Sequence, residues 1–424
     1  MRRTTRRGMT ACLALAIPAL VLAGCGSAAD DAGGSPAATG APGEVDYSGT
    51  LTLWYTYNEG TPGLLAAVEE WQKQFQSEHP DVTFDGQYVD YTKFTQKVIA
   101  ANVAGKGPDV MFIAGPTIPD LAQAETILDL TSEWEAFADA SQFPTAILEG
   151  GNSFDGKQYG VQAFGNIEGM YVNKTLLATL GLEVPTDKTE FEAALDAATK
   201  AGSVGFTGSA MGAEAGEFNV APLAATLGWS YEDPTNAGMQ DALVMQEQWV
   251  EKGWRQKNDS TGFVSTDNFL TGKYLFAQDG NWQLTNFTDN ATFDWEVISV
   301  PGVQDRALIG GESFAIGSTT KNKALAWAFI SESLMSKAGG EIAAKAGSIP
   351  LRADVADGDA VTSNPALATF ADIAARSISI PLNANSGKVS TLLGDTYNLV
   401  VAGQIKGEEG AKKIFAELPG LLAP

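Results

Sequence analysis

Apolar residues recur in two rhythms along the first part of the chain. Leu51–Tyr55 is a short apolar run of the kind that forms a strand buried on both faces. Thr61-Pro62 then supplies an N-cap and a proline at the first helical position. Leu64, Leu65, Val68, Trp71 and Phe75 follow at helical spacing, and His79-Pro80 ends that helix. Val82 and Phe84 alternate in a second strand over 82–88. Phe94, Val98 and Ile99 share one face of a helix over 91–104, a turn follows at Gly105–Pro108, and Asp109–Ala114 is a third apolar strand. The β-α-β-α-β order predicts parallel strands with right-handed crossovers. Ligands of such sheets sit beyond the carboxyl ends of the strands. Tyr57–Glu59 and Gly115–Thr117 fall on that edge, and the helix opening at Pro62 aims its free amides there.

Farther on, Asp155-Gly156-Lys157 is a turn, and 191–200 and 243–254 read as helices. Phe293, Trp295 and Val297 alternate as a strand, 323–334 is an amphipathic helix, and a helix over 389–402 precedes a short terminal one. No internal repeat is visible.

The first 48 residues carry a different pattern. Arg2, Arg3, Arg6 and Arg7 precede an apolar run of thirteen residues, Ala11–Ala23, too short for a confident membrane span. The run ends in Leu22-Ala23-Gly24-Cys25, which resembles a bacterial lipobox. Residues 1–24 are therefore expected to be a signal peptide, with Cys25 the lipidated residue. Residues 25–48 are a Gly/Ala/Ser/Pro-rich tether with little to bury. Contact with the membrane is expected through this lipid only.

Composition narrows the function. The 424 residues hold 27 Lys+Arg against 51 Asp+Glu, a formal charge of −24, which argues against nucleic acid. Loss of the leader removes four arginines and no acid. One histidine and two cysteines, both in the amino-terminal segment, exclude most His- or Cys-dependent catalysis and leave no metal or cofactor to expect.

Several motifs then fall in a recognisable order. These are Leu51-Thr52-Leu53-Trp54, Phe75 to Pro80, Gly107-Pro108-Asp109-Val110, Phe154 to Gly160 and Tyr171 to Leu177. After them come Gln278 to Trp282, Gly310-Gly311, Phe314-Ala315-Ile316, Lys321 to Ala324 and Gly347 to Arg352. In this order the chain resembles family 1 extracellular solute-binding proteins, the carbohydrate-type receptors of ABC importers related to maltose-binding protein. The resemblance implies an α/β fold of two lobes, the type II periplasmic-binding-protein fold, each a sheet flanked by helices. Lobe one would hold 49–164 and 315–349, and lobe two 167–311 and 353–420. Hinge strands would cross near Gly165-Asn166, Gly311–Ser313 and Pro350–Arg352. It further implies a monomer that is not an enzyme, binds a carbohydrate between its lobes, and delivers it to ABC permease subunits with their ATPase.

Sugar recognition combines aromatic faces against ring C–H groups with polar side chains for the hydroxyls. Trp282 matches the family's stacking tryptophan, and Asn281 stands beside it; core packing is the alternative for Trp282. Tyr57, Asn58 and Glu59 follow the first strand, and Thr117 follows the third; a solvated turn would explain Asn58 and Glu59 equally. Asn166 sits at the first crossing, as ligand contact or as hinge residue. Phe218 falls where relatives place a second aromatic, and it stacks or simply packs. Asp109 either meets ligand or caps backbone amides, while Glu312, Arg352, Asn383 and Asn385 lie at or after the later crossings. Trp229 stacks or packs under its loop. The sequence departs from the pattern at Ile113, Pro116 and Thr117 and at Gly387-Lys388-Val389-Ser390, which leaves the sugar unassigned. The candidate set is mostly aromatic and amide, so the excess acid is expected to serve solubility.

The rival reading is a secreted carbohydrate-active hydrolase. A nucleophile elbow fails at Gly311-Glu312-Ser313-Phe314-Ala315, which ends in alanine, and a serine triad would need His79. Hydrolysis by paired carboxylates needs neither.

Overall fold

The computed structural model describes residues 45–144, 151–257 and 266–423. The signal peptide, Cys25 and most of the expected tether lie outside the described residues. The opening elements follow the order read from the sequence: β1 (Gly49–Tyr55), α1 (Pro62–Glu78), β2 (Val82–Tyr88), α2 (Phe94–Val103) and β3 (Val110–Ala114). Both neighbours of β1 run parallel to it. Helix α1 buries Leu64, Val68, Trp71 and Phe75, one stripe at helical spacing, and Trp71 Nε1 donates to the Gly339 carbonyl at 3.0 Å. The Thr61 hydroxyl makes no cap to the helix and faces the Asn58 carbonyl of the preceding loop instead.

Besides several two-residue strands, the longer strands that follow are β4 (Glu168–Asn173), β5 (Val204–Thr207), β6 (Tyr274–Gly280), β7 (Trp295–Ile298) and β8 (Glu312–Ile316). One sheet has the order β8-β3-β1-β2, with β8 antiparallel to β3; the other has the order β7-β4-β6-β5. The second sheet is mixed, because β4 runs antiparallel to both β7 and β6 while β5 runs parallel to β6. Around it pack α3 (Ala213–Thr226), α4 (Ser386–Val401) and α5 (Gly407–Leu422) together with the helix Ala237–Glu251.

Three narrow connections run between the sheets. Phe164–Gly165 pairs antiparallel with Ile349–Pro350, Asn166 exchanges both backbone hydrogen bonds with Gly310, and β8 starts two residues after Gly310. Gly311 has φ +125°, and a side chain there would strike Gln162 and the Phe164 carbonyl, so this strand can pass only as glycine.

Some local expectations shift. The helix read over 243–254 begins six residues earlier and ends at Glu251, and Phe293 precedes strand β7 rather than joining it. The terminal helix α5 is 16 residues long, not short. The fold also starts before Gly49: Tyr47 stacks on His79 with ring centroids 3.8 Å apart, and its hydroxyl donates to Glu332 at 2.7 Å. His79 thus ends a helix and carries a ring stack. Among the described residues no helix is long and apolar enough to cross a membrane, and no group of three His, Cys, Asp or Glu could hold a metal.

Candidate functional site

The carboxyl ends of β1, β2 and β3 and the start of β8 open onto a cavity of about 260 Å³ whose opposite wall comes from α3, the end of β6 and the Gly310-Gly311 connection. From the first sheet come Tyr57, Asn58, Tyr88, Asp90, Tyr91, Pro116 and, at the start of β8, Glu312; from the second side come Asn166, Glu214, Phe218 and Trp282. The start of α1 contributes Thr61 and Leu64, so its amino end meets the cavity as read from the sequence.

Aromatic side chains form much of the wall. Trp282 lies on a short 3-10 turn, Asn281–Gln283, directly after β6, and only 6 % of its surface is exposed. Gly280 has no room for a Cβ against the indole, and Gly310 has none against the Phe218 ring, so two glycines set the depth of these aromatics. Tyr57 is 3 % exposed, and its ring meets Phe112 edge-on at 6.1 Å.

Polar groups complete the site. Asn58 accepts from the Gly60 amide at 2.8 Å and donates to Tyr88 Oη at 3.0 Å. Asn166 donates to Glu312 Oε2 at 3.1 Å. The Tyr57 hydroxyl faces the Glu312 carboxyl without the alignment of a full hydrogen bond. Across the cavity, Tyr91 hydrogen-bonds Glu214 on the first turn of α3, joining a first-sheet loop to a second-sheet helix. Burial pushes the Glu312 carboxyl up to about 7, against the smaller opposing influence of the Tyr57 hydroxyl, its own backbone amide and Asn166. Burial pushes Glu214 to about 7 as well, with the charges of Glu217 and Glu312 adding to the rise and the Tyr91 hydrogen bond opposing it. Tyr57 and Tyr91 are pushed well up, chiefly by burial, and stay protonated donors.

The structure thus brings Trp282, Tyr57, Asn58, Asn166, Phe218 and Glu312 together. It places the other sequence candidates elsewhere. Asn281 stands behind Trp282: its Oδ1 accepts from the Ile167 amide at 2.7 Å, and its Nδ2 donates to Asn166 at 3.0 Å and the Gly347 carbonyl at 2.8 Å. Asp109 lies at the amino end of β3, away from the ligand edge, and accepts from the Thr52 amide and hydroxyl and from Thr320. Arg352 is tied to Asp139 at 2.7 Å, Asp354 at 2.8 Å and the Met335 carbonyl. Asn383 and Asn385 donate to the Leu421 carbonyl, fastening α5. Thr117 donates to the Ala114 carbonyl, so Pro116 reaches the cavity in its place. Trp229 is a core residue packed on Tyr231, and Glu59 is exposed on the loop.

Sequence reasoning missed Tyr88, Asp90, Tyr91 and Glu214. The first three follow β2 on the same sheet edge as Tyr57, so the edge rule applied to β1 and β3 would have found them. Of the acids that line the cavity, Asp90, Glu214 and Glu312, the sequence pointed to Glu312 alone.

Residues 70–369 match the model of the bacterial extracellular solute-binding protein family, well over half the chain. The chain belongs to that family. Solved structures agree on the fold of this solute-binding protein. The GacH receptor of Streptomyces glaucescens, solved unliganded and with acarbose, superposes with a TM-score of 0.77 at 21% identity, covering 88% of this chain and 98% of its own. A solute-binding protein from Thermotoga lettingae bound with α-D-tagatose gives 0.77 at 19% identity, over 89% and 100% of the two chains. An ABC substrate-binding protein from Listeria monocytogenes in complex with cycloalternan gives 0.75 at 19%, over 88% and 98%. No curated protein sequence matches the chain. The α/β fold of two lobes, each built on one of the two sheets, is therefore the fold of this solute-binding protein.

Proposed function

We propose that this solute-binding protein holds a sugar or sugar-like solute in the cavity between its two sheets. The observation that carries the reading is the wall itself: Trp282, Phe218, Tyr57, Tyr88 and Tyr91 offer ring faces while Asn58, Asn166 and two glutamates offer hydrogen bonds. The carbohydrate ligands named for the similar structures support the same class. At about 260 Å³ the cavity lies just below the ~300–1,000 Å³ of pockets that enclose drug-sized ligands, which favours one or two sugar rings over a long chain. Closure follows from bending at the three connections, Gly165-Asn166, Gly311–Ser313 and Pro350–Arg352. The protein is lipid-anchored at Cys25 after export and passes its solute as a monomer to ABC permease subunits.

The test is a carbohydrate panel followed by thermal melting and calorimetry. A sugar at 100 times its Kd adds about 2.7 kcal/mol to the folded state. Trp282→Ala removes the stacking face and weakens the hit about tenfold or more. A panel in which no sugar raises the melting temperature refutes the reading, and release of cleaved product from an oligosaccharide replaces it with hydrolysis.

A further inference from the structure

The cavity is acidic without a counter-ion. Asp90, Glu214 and Glu312 line it, and among the described lining residues there is no Lys, Arg or His. Elsewhere in the second lobe Glu217, enclosed away from the cavity, is likewise held by neutral hydroxyls alone, while Glu168 has an arginine near it. Glu168 accepts from Asn219 at 3.0 Å and Gln278 at 2.9 Å; burial and the Asp279 charge push its carboxyl well up, and the buried Arg255 guanidinium opposes them. The donors that face Glu214 and Glu312 are neutral, Tyr91 for the first and Asn166, Tyr57 and its own backbone for the second, and the Glu217 and Glu312 charges add to the cost of ionising Glu214. A second observation points the same way. The Tyr57 hydroxyl, on a residue 3 % exposed, is aimed at Glu312 from the cavity wall without a well-aligned bond. The rings of Tyr57, Tyr91, Phe218 and Trp282 around these carboxyls offer π-faces, which attract cations as well as C–H groups.

We propose that the solute carries a positively charged nitrogen, as in an amino sugar or aminocyclitol, seated between Glu214 and Glu312. The inference rests on the sugar-binding reading and narrows it. An ammonium group supplies the one interaction the cavity lacks: it donates to both carboxylates and faces the aromatic wall, while ring hydroxyls meet Asn58 and Asn166. A neutral polyol brings the pair no charge, so the two carboxyls keep their protons when it binds.

The geometry also sets a pH signature. Glu214 faces Tyr91, Glu217 and Glu312; Glu312 faces Tyr57 and Asn166; Asp90 lies on the same wall. On α4, packed against α3, Asp395 accepts from the Ala213 amide and Lys388 is bonded to Asn385. Without ligand the two glutamates titrate near 7, so at pH 6 they hold protons that a bound cation must displace.

The experiment uses the full folded protein and sugars matched except at one position: glucose, galactose and mannose, their 2-amino forms and their 2-N-acetyl forms, with the corresponding β-1,4-linked disaccharides of the gluco series. Calorimetry at pH 6 is expected to show one amino sugar binding about tenfold to hundredfold tighter than its neutral and acetylated partners. Buffers of different ionisation enthalpy are expected to report proton release for the amine and none for the neutral sugar. The Glu214→Gln/Glu312→Gln double variant, checked for folding by its melt, is expected to narrow the gap between amine and neutral forms to a few-fold. A neutral or N-acetyl sugar binding as tightly as its amine, or an unchanged gap in the double variant, overturns the proposal and leaves the sugar reading intact. Binding by no member, charged or neutral, overturns both.

Discussion

Replacing Glu217 by glutamine isolates a single buried carboxyl whose effect on stability can be worked out in advance. Glu217 lies on α3, is fully buried, and accepts from Tyr231 at 2.5 Å and from Ser390 on α4. Burial pushes its carboxyl up from 4.5 to about 7, against those two opposing hydrogen bonds. Because the folded form holds the proton more tightly than the unfolded chain, stability is highest below pH 4.5. It falls as pH rises towards 7 and levels off above that. At ~1.4 kcal/mol per pH unit the loss reaches about 3 kcal/mol. Glutamine cannot ionise, and both hydroxyls can turn to satisfy its amide. Urea unfolding of the wild type and Glu217→Gln should be followed at pH 5, 6, 7 and 8 by tryptophan fluorescence. Trp229 lies 4.9 Å from the Tyr231 ring and reports locally. The variant is expected to gain on the wild type by about 2.5 kcal/mol between pH 5 and pH 8, nearly all of it below pH 7. A residual slope persists from Glu214 and Glu312. Parallel pH profiles for the two proteins would refute the assignment of a titrating carboxyl at this position.

Two further substitutions separate support from contact. Asn281→Ala leaves the Ile167 amide and the Gly347 carbonyl without their partner; unfolding free energy is expected to drop by about 2–3 kcal/mol in denaturant titrations. Arg352→Met strips Asp139 and Asp354 of their cation and is expected to lower stability by about 2–3 kcal/mol, with ligand affinity unchanged by calorimetry.

The β-α-β-α-β opening was legible because its periods of two and 3.6 are clean and its stops are prolines. Helix α3 was not: Ala215 to Ala225 are buried all round, so no stripe marks a face, and Pro222 sits inside it. Glu214 therefore had no local signal of its place in the cavity. Asn281, Asp109, Arg352, Asn383 and Asn385 had the chemistry of sugar contacts. Their polar atoms close instead on backbone or charged groups far along the chain, as with Asn383 and Leu421, and no local pattern records such a partner. Trp282 and Phe218 were legible through the resemblance, which puts aromatics at those two positions; Phe218 lies inside α3, where no local pattern marks it.

The stack of Tyr47 on His79 fixes where the chain enters the fold. That entry lies at the amino end of β1, and the cavity lies past the other end, seven residues away. At ~3.3 Å per strand residue the two are some 23 Å apart across the sheet. A probe surface or fluorophore carrier coupled ahead of Val45 would hold the protein by its back. The mouth would remain open to solution, so a sensor built that way reads ligand without blocking it.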